Sequence, residues 1–401
     1  MHPGEPQDRA GARPAKRDSL VLFFAYGMSV RLWEEGLLDR EKLIYERLLA
    51  AGAFKRIYWF SYGRGDGALL AQLKRDGRIA DAIHVLEPPA LLAGRLGRPV
   101  YSIVGPLFHR RAIASADILR TDQGTGAWTA LVAKLLFSKP LLFRCGYVWS
   151  LNTKLRGEHL KSWIARIVEH LLLRFADAIM VTSQASRAYL NKMSPAAQIR
   201  IAPNYVDVAD FKPVASHRPS QPILFVGRLV PIKNVDLLIR ACARLQVPLH
   251  IFGNGPLRSE LEALASELGA DVTFKGVLPN RKMARAHHAY SVFVLCSTSE
   301  GMPKSLIEAM ASGLICLGTD VRGINELIED RVTGYLIRSP DADAIADALG
   351  AALGNFDPEV GARARKFVED NHSLERAIAV ELDMIARATK ETDAAFTDPA
   401  A

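Results

Sequence analysis

Two glutamates with seven residues between them flank a glycine turn and a helix start in the segment 299–313, SEGMPKSLIEAMASG. The apolar run before it, residues 290–296, is typical of a buried strand, so we expect Glu300 at the carboxyl end of a strand and Glu308 inside the next helix. Parallel sheets bind ligands at that edge. Amide groups at a helix start favour a phosphate, whereas carboxylates accept hydrogen bonds from hydroxyl groups. The segment therefore predicts a site for a sugar attached to a phosphate.

A second glycine turn lies upstream, in the segment 222–234, PILFVGRLVPIKN. Gly227 follows a predicted strand, where a glycine lets the backbone approach a diphosphate, and Arg228 adds a planar set of N–H donors for its oxygens. Lys233 follows at a predicted helix start. A Gly-Arg turn alone is more often structural, but its combination with Lys233 and the two glutamates favours a ligand site.

The Glu-x7-Glu pattern with its Ala-Met-Ala-x-Gly tail resembles the retaining nucleotide-sugar glycosyltransferases of family 4 (glycosyl transferases group 1), which have the two-domain GT-B fold. The segments 203–207, PNYVD, and 176–183, ADAIMVTS, are similar to that family as well. The resemblance implies that two cations hold the departing diphosphate, that Glu308 accepts hydrogen bonds from the ribose, and that the turn at Glu300 holds the transferred sugar. The implied catalytic residues are Arg228, Lys233 and Glu300, and the implied donor-binding residues are Gly227, Gly301, Met302, Lys304, Ser305 and Glu308.

Structural roles remain open for both glutamates, a helix cap for Glu300 and a salt bridge for Glu308. On the acceptor side the sequence offers Gly27, in a reduced glycine turn after the first strand, and Arg144. Cys145 stands where many relatives carry a histidine. Arg144 is therefore expected either to supply a charge at the cleft or to form a surface salt bridge.

No metal is expected at the site, because Arg228 and Lys233 already supply positive charge to the leaving group, and no cofactor is implied beyond the nucleotide sugar itself. An Asp-x-Asp pattern at 341–343 opens a predicted helix, where acidic residues favour the helix dipole, so we interpret it as a cap.

Length and composition bound the fold. A chain of 401 residues exceeds the size at which one core usually keeps growing, and 49% of its residues are apolar. Predicted strands alternate with predicted helices throughout, which favours βαβ units and parallel sheets. We expect an α/β protein with two Rossmann-like, doubly wound domains and a ligand cleft between them.

The predicted domain limits are a disordered tail at 1–17, an N-terminal acceptor domain at 18–203, a nucleotide-sugar-binding domain at 204–370, a C-terminal helix at 371–390 and a tail at 391–401. Within this scheme, strands are predicted near 20–24, 56–60, 81–85, 99–103, 117–120, 141–144 and 178–182 in the first half. The second half has predicted strands near 222–228, 248–252, 272–276, 291–297, 314–319 and 334–337. One of its predicted helices lies at 323–329.

The four cysteines lie far apart and show no metal spacing, so we expect buried thiols in a reducing compartment. The first 17 residues have no apolar core typical of a secretory signal, and the chain is expected to be cytoplasmic. A net charge of +8 favours anionic partners. The resemblance narrows these to a nucleotide-sugar donor and a glycan or lipid-linked acceptor, without nucleic acid.

The basic, apolar segment 154–174 has two interpretations. Its apolar face can pack on the N-terminal sheet, or it can bind an acidic membrane surface and make the protein peripheral to the membrane. The functional prediction is a retaining transferase that moves a sugar from a UDP- or GDP-sugar to a hydroxyl group during synthesis of bacterial surface polysaccharide or glycolipid. The alternatives are a nucleotide-sugar epimerase of the same fold and a non-catalytic nucleotide-sugar-binding module.

Overall fold

The structure is a computed structural model that describes residues 16–213, 218 and 220–391. The predicted tails at 1–17 and 391–401 fall almost entirely outside these residues. Pro219 is also outside them. The described residues form two parallel sheets, one of seven strands and one of six. The prediction of two Rossmann-like α/β domains is confirmed.

The first sheet has the strand order β3-β2-β1-β4-β5-β6-β7 and every pair in it is parallel. Apolar side chains of its strands pack into a core on each face of the sheet, as expected for a parallel sheet that helices cover on both sides. Its strands are β1 Arg17–Phe23, β2 Phe54–Phe60, β3 Ile83–Leu86, β4 Ile118–Thr121, β5 Leu141–Cys145, β6 Ala178–Val181 and β7 Ile199–Ile201. Its helices are α1 Val30–Glu34, α2 Leu38–Glu41, α3 Leu43–Ala50, α4 Asp66–Arg75, α5 Gly97–Phe108, α6 Arg110–Ala114, α7 Ala127–Phe137, α8 Trp149–Leu155, α9 His159–Phe175 and α10 Gln184–Met193, with a 3-10 turn at Ala90–Leu92.

The second sheet has the order β10-β9-β8-β11-β12-β13, again with parallel pairing. Its strands are β8 Ile223–Val226, β9 Leu249–Phe252, β10 Val272–Gly276, β11 Val292–Leu295, β12 Ile315–Thr319 and β13 Tyr335–Ile337. The helices that follow β7 are α11 Val235–Leu245, α12 Arg258–Glu267, α13 Asn280–Ala286, α14 Lys304–Ala311, α15 Ala342–Gly354, α16 Pro358–Asn371 and α17 Leu374–Ala388, with 3-10 turns at Pro231–Lys233 and His287–Ala289. Asp341 caps α15 and accepts a hydrogen bond from the amide of Ala344 at 2.8 Å, so the cap interpretation is confirmed.

The chain crosses between the domains twice, because α17 returns to the N-terminal sheet. Side chains of α17 pack into the same core as β1 and α3. Glu381 of α17 forms a buried ion pair with Arg120 of β4. At the crossing itself Val206 bridges Ser373, and the amide of Val206 donates to the carbonyl of His372 at 2.9 Å. The two connections therefore run side by side.

Two predicted elements are wrong. The predicted strand 99–103 lies within helix α5, where Pro99 sits in the first turn and is tolerated because amides there have no helical partner. The predicted helix 323–329 is a run of turns, because Gly323 has a φ of +84° that a helix does not permit.

The four cysteines are buried free thiols, as predicted. Among residues 16–213, 218 and 220–391, no helix is long and apolar enough to cross a bilayer.

Candidate functional site

The carboxyl ends of β8 and β11 bring Lys233 and Glu300 together. These two strands are neighbours in the second sheet, so the turns that follow them meet at one edge. Glu300 Oε1 accepts a hydrogen bond from Ser297 Oγ at 2.6 Å and also receives the Lys233 ammonium. Both charged side chains are about 85% buried, with 15% and 13% of their surfaces exposed. The pair is therefore held in place before any ligand arrives.

Close backbone packing fixes the turns on either side of this pair. The amide of Gly227 donates to the carbonyl of Phe252 at 2.9 Å, and a side chain at Gly253 would overlap the carbonyl of Gly227. A side chain at Gly323 would overlap the carbonyls of Glu300 and Gly301 in the same way. These glycines are required because two backbones touch there.

Arg228 follows β8 on the same edge, and its side chain is exposed. In the part of the chain that the structure describes, its guanidinium forms no hydrogen bond or ion pair. Arg228 therefore does not join the Lys233–Glu300 pair. Its donors remain available to an anion.

Glu308 lies in the middle of α14 and is only 5% exposed. Its Oε1 accepts hydrogen bonds from Asn280 Nδ2 at 2.8 Å and from Arg40 Nη1 at 3.5 Å. The other oxygen, Oε2, accepts none from the described residues. Burial raises the pKa of Glu308, and Arg40 and Lys304 oppose this rise. The free oxygen can accept a hydroxyl group of a ligand.

The N-terminal domain contributes two charged side chains that the sequence analysis missed. Arg40 and Glu41 end the short helix α2, which lies against the start of α13 and α14. Glu41 Oε1 receives the Lys304 ammonium at 2.6 Å, while Arg40 reaches Glu308. Burial would raise the pKa of Glu41, but Lys304 and Arg40 lower it to about 2. Lys304 is thus engaged by the opposite domain, and neither α2 residue belongs to a motif that could have revealed it.

Arg144 at the end of β5 is also part of the contact between domains. It is 9% exposed, and its guanidinium donates to the carbonyl of Asp122 at 3.3 Å and to Asn204 Oδ1 at 3.4 Å. Asn204 in turn donates to the carbonyl of Met302 at 2.7 Å. The expectation of a surface salt bridge for Arg144 is wrong, since its side chain is buried and its partners are neutral oxygens.

The turn after β5 faces the turn at Gly301 across the cleft. A side chain added at Gly301 would lie 3.4 Å from the carbonyl oxygen of Gly146. In the turn after β5 the buried Cys145 thiol donates to the carbonyl of Tyr147 at 2.8 Å, and burial raises its pKa. Cys145 is therefore a neutral thiol at neutral pH.

Ser305 lies in the first turn of α14 and is partly exposed.

Gly27 occupies the turn after β1 with a φ of +80°, and Arg98 lies beside it. Next to this turn three aromatic rings form a row that the sequence analysis did not identify. Tyr26 packs on Trp128 with 5.3 Å between ring centroids, and Trp128 packs on Trp149 at 5.6 Å. All three follow strand ends of the first sheet and are partly exposed. Such faces can stack on sugar rings, but the three residues are scattered in the sequence.

Comparisons with known proteins identify the family of the chain. The family model described as glycosyl transferases group 1 matches residues 209–366. The GDP-mannose-dependent alpha-(1-6)-phosphatidylinositol monomannoside mannosyltransferase of Mycolicibacterium smegmatis is 30% identical over 278 residues, which cover 61% of this chain and 72% of that protein. The chain belongs to the group 1 glycosyl transferases.

Other relatives of this group 1 glycosyl transferase match over shorter or more divergent stretches. The D-inositol 3-phosphate glycosyltransferase of Nocardia farcinica is 37% identical over 155 residues, or 35% of this chain and 34% of that protein. The chain thus matches about a third of that relative's length. The structure of Anabaena Alr3699/HepE in complex with UDP and glucose superposes with a TM-score of 0.71 at 17% identity, covering 92% of this chain and 99% of that one. This likeness shows the GT-B fold.

Proposed function

We propose that the protein is a retaining glycosyltransferase of family 4 that moves a sugar from a UDP- or GDP-sugar to a hydroxyl group of a glycan or lipid-linked acceptor. The observation that carries the proposal is the Lys233–Glu300 pair at the carboxyl edge of the second sheet, where Arg228 follows β8 and Glu308 lies in the helix that follows β11. The mycobacterial relative is named for GDP-mannose and phosphatidylinositol monomannoside, and the Anabaena structure is a complex with UDP and glucose. Both names support the donor class.

In this proposal the diphosphate of the donor lies between Arg228 and Lys233. Negative charge builds on the diphosphate as the bond to the sugar breaks, and preorganised cations lower the barrier because they need not reorganise at that moment. Glu300 holds Lys233 in position and accepts hydrogen bonds from the transferred sugar. These two cations supply the charge for which other enzymes use a metal, so we propose a metal-independent reaction.

Glu308 binds the ribose in the same proposal. Its free Oε2 accepts the ribose hydroxyl groups, while Asn280 and Arg40 hold Oε1. The acceptor enters from the N-terminal domain, beside Gly27 and the aromatic row of Tyr26, Trp128 and Trp149. The acceptor oxygen bonds to the anomeric carbon on the same face from which the diphosphate leaves, which retains the configuration. A phosphate oxygen of the departing diphosphate takes the acceptor's proton, so no protein base is needed. Buried free thiols suit a cytoplasmic enzyme, and synthesis of bacterial surface polysaccharide or glycolipid is the proposed role.

A screen of nucleoside diphosphate sugars tests the donor. A ligand that binds only the folded protein raises its melting temperature, so UDP- and GDP-sugars are added to the purified chain and its melting temperature is followed. The best donor is then incubated with and without simple glycan or polyprenyl-phosphate acceptors. Released nucleoside diphosphate and the anomeric configuration of the product, read by NMR, are the two measurements.

The outcomes separate the proposal from its alternatives. Transfer with retained configuration supports a retaining transferase, and an inverted product contradicts it. Sugar interconversion without an acceptor indicates an epimerase. Donor binding with no released nucleoside diphosphate under any acceptor condition indicates a binding module, and the absence of any nucleotide-sugar binding refutes the site itself.

A further inference from the structure

Exposed apolar side chains are concentrated in one part of the N-terminal domain. Fifteen of the twenty-one large apolar side chains exposed among the described residues lie between residues 91 and 175. Globular proteins rarely expose contiguous apolar patches of large size unless they bind something there. The fifteen are Leu91, Leu96, Val100, Ile103, Leu107, Phe108, Leu135, Leu136, Leu155, Leu160, Trp163, Ile164, Ile167, Leu171 and Phe175.

These side chains share one surface because three helices carry most of them. Helix α7 packs between α5 and α9, and the inner sides of all three helices enter one core on the same face of the first sheet. Their outer sides therefore adjoin. We call this surface, formed by α5, α7, α9 and the loop 91–96, the apolar face.

Helix α9 is oriented against the usual pattern. Its buried side includes Ser162 and Glu169, whereas Trp163 is 63% exposed and Ile164 and Ile167 are each 42% exposed. The interpretation in which these apolar residues pack on the N-terminal sheet is wrong for these three. Water is an unfavourable partner for such a surface, so it favours an occupant that is itself apolar.

Charge indicates what that occupant is. Residues 91–176 contain thirteen lysines and arginines and four aspartates and glutamates, a net charge of +9, although the whole chain carries only +8. Of the acidic side chains on α9 and just before it, Glu169 is buried and Glu158 lies 3.0 Å from the Lys161 ammonium. Five of the thirteen basic side chains are buried or pair with carboxylates, namely Arg120, Lys134, Arg144, Arg156 and Lys161. Six others are exposed and form no ion pair with a described carboxylate, which complements an anionic surface: Arg95, Arg110, Arg111, Lys154, Arg166 and Arg174.

A groove at one end of the apolar face combines both properties. At the junction of α5 and α6 the residues that line a cavity of about 480 Å³ include Leu107, Phe108, Arg110 and Arg111. Apolar walls beside two arginines match the boundary between acyl chains and phosphate groups in a bilayer.

We propose that the apolar face binds the surface of an anionic lipid bilayer, with α5 and α9 lying in the plane of the headgroups and Arg110 and Arg111 contacting lipid phosphates. Helices of parallel α/β units begin at the carboxyl edge of the sheet, and here α5 begins beside Gly27 and α8 follows the turn that faces Gly301. The bound surface thus extends to the cleft. The inference does not depend on catalysis, since its test contains no turnover step and can fail while sugar transfer succeeds.

Vesicle co-sedimentation of the full chain tests the proposal. Vesicles of phosphatidylcholine alone are compared with vesicles that also contain phosphatidylglycerol, at low and high salt. We expect binding to the anionic vesicles, weakened by salt because exposed charges are screened. The double variant W163Q/I167Q is expected to bind on the order of tenfold or more weakly, since two large apolar side chains that favour burial in the bilayer are replaced by polar ones.

A second test variant, R110Q/R111Q, removes the two arginines that are proposed to contact lipid phosphates. The controls change exposed residues of the other domain: L268Q/V332Q is the control for W163Q/I167Q, and R331Q is the control for R110Q/R111Q. Melting temperatures establish that each variant is folded. Brominated lipids that quench the tryptophan fluorescence of the wild type but not that of W163F locate Trp163 in the bilayer. Failure of the wild type to bind anionic vesicles overturns the proposal, as does equal binding by W163Q/I167Q. A concentration-dependent dimer without lipid that W163Q/I167Q abolishes would also overturn it, because a second copy would then be the occupant.

Discussion

Replacing Glu308 by glutamine isolates the charge that the proposed ribose contact requires. Glutamine has the same shape, so the packing of α14 is kept, while the free oxygen loses its negative charge. Hydrogen bonds to a charged group contribute about 1.5–3 kcal/mol, and about 1.4 kcal/mol is a factor of ten in affinity. Oε2 is the oxygen of Glu308 that is free for the ribose. We therefore expect the dissociation constant for the preferred nucleoside diphosphate to rise about 10- to 150-fold in E308Q.

Isothermal titration of UDP and GDP into wild type and E308Q measures this change directly. The matched control is E262Q, which removes an exposed carboxylate of α12 that pairs with Arg258 at 2.8 Å in the same domain. E262Q is expected to bind as the wild type does. Because burial already raises the pKa of Glu308, loss of its charge is not expected to unfold the protein, and the melting temperature verifies this. A folded E308Q that binds both nucleotides with wild-type affinity would refute the ribose assignment.

Three further predictions concern the site and its support. K233A is expected to lower turnover on the order of 10²–10³-fold, measured as released nucleoside diphosphate, and near-normal turnover would remove the proposed role of Lys233. E381A leaves Arg120 buried without its partner and should cost about 3–5 kcal/mol in urea unfolding, whereas D370A, which breaks the exposed pair with Lys366, should change the free energy of unfolding far less because water screens that pair; equal effects would contradict the argument. Burial and Glu41 raise the pKa of Asp122 to about 6, so the folded state binds its proton more tightly and stability should fall as pH rises from about 4 to 6. D122N should therefore melt higher than wild type at pH 8 but not below pH 4, and a difference independent of pH would count against this.

The sequence predicted the fold through features that depend on local order alone. Apolar runs alternating with helical patterns determine parallel sheets because such runs must be buried on both faces. The errors arose where the conformation of a short segment depends on the residues that surround it. Residues 99–103 contain Val100 and Ile103, which favour a strand. In the structure both lie in helix α5, with exposed side chains. Gly323 would be the first residue of the predicted helix 323–329, but its φ of +84° is not helical, and the carbonyls of Glu300 and Gly301 leave no room for a side chain there.

The site was predictable only as far as one domain supplies it. Lys233 and Glu300 follow neighbouring strands of one sheet, so their approach could be inferred from strand order. The partners of Glu308 and Lys304 could not, because Arg40 and Glu41 come from the other domain and more than 250 residues away in sequence. Contacts of this kind depend on how the domains meet, which no periodicity records. The exposed side of α9 could not be predicted either, because an amphipathic pattern does not say which side of the helix faces water.

The paired connections at Val206 and Ser373 restrict how the cleft can open. A single linker would allow one domain to swivel freely about it, whereas two neighbouring backbones joined by hydrogen bonds permit bending mainly about one axis. Opening would separate α2 from α14 and break the Arg40–Glu308 and Lys304–Glu41 contacts together. Release of the spent nucleotide would then be coupled to exposure of four charged groups, so its rate should increase with ionic strength.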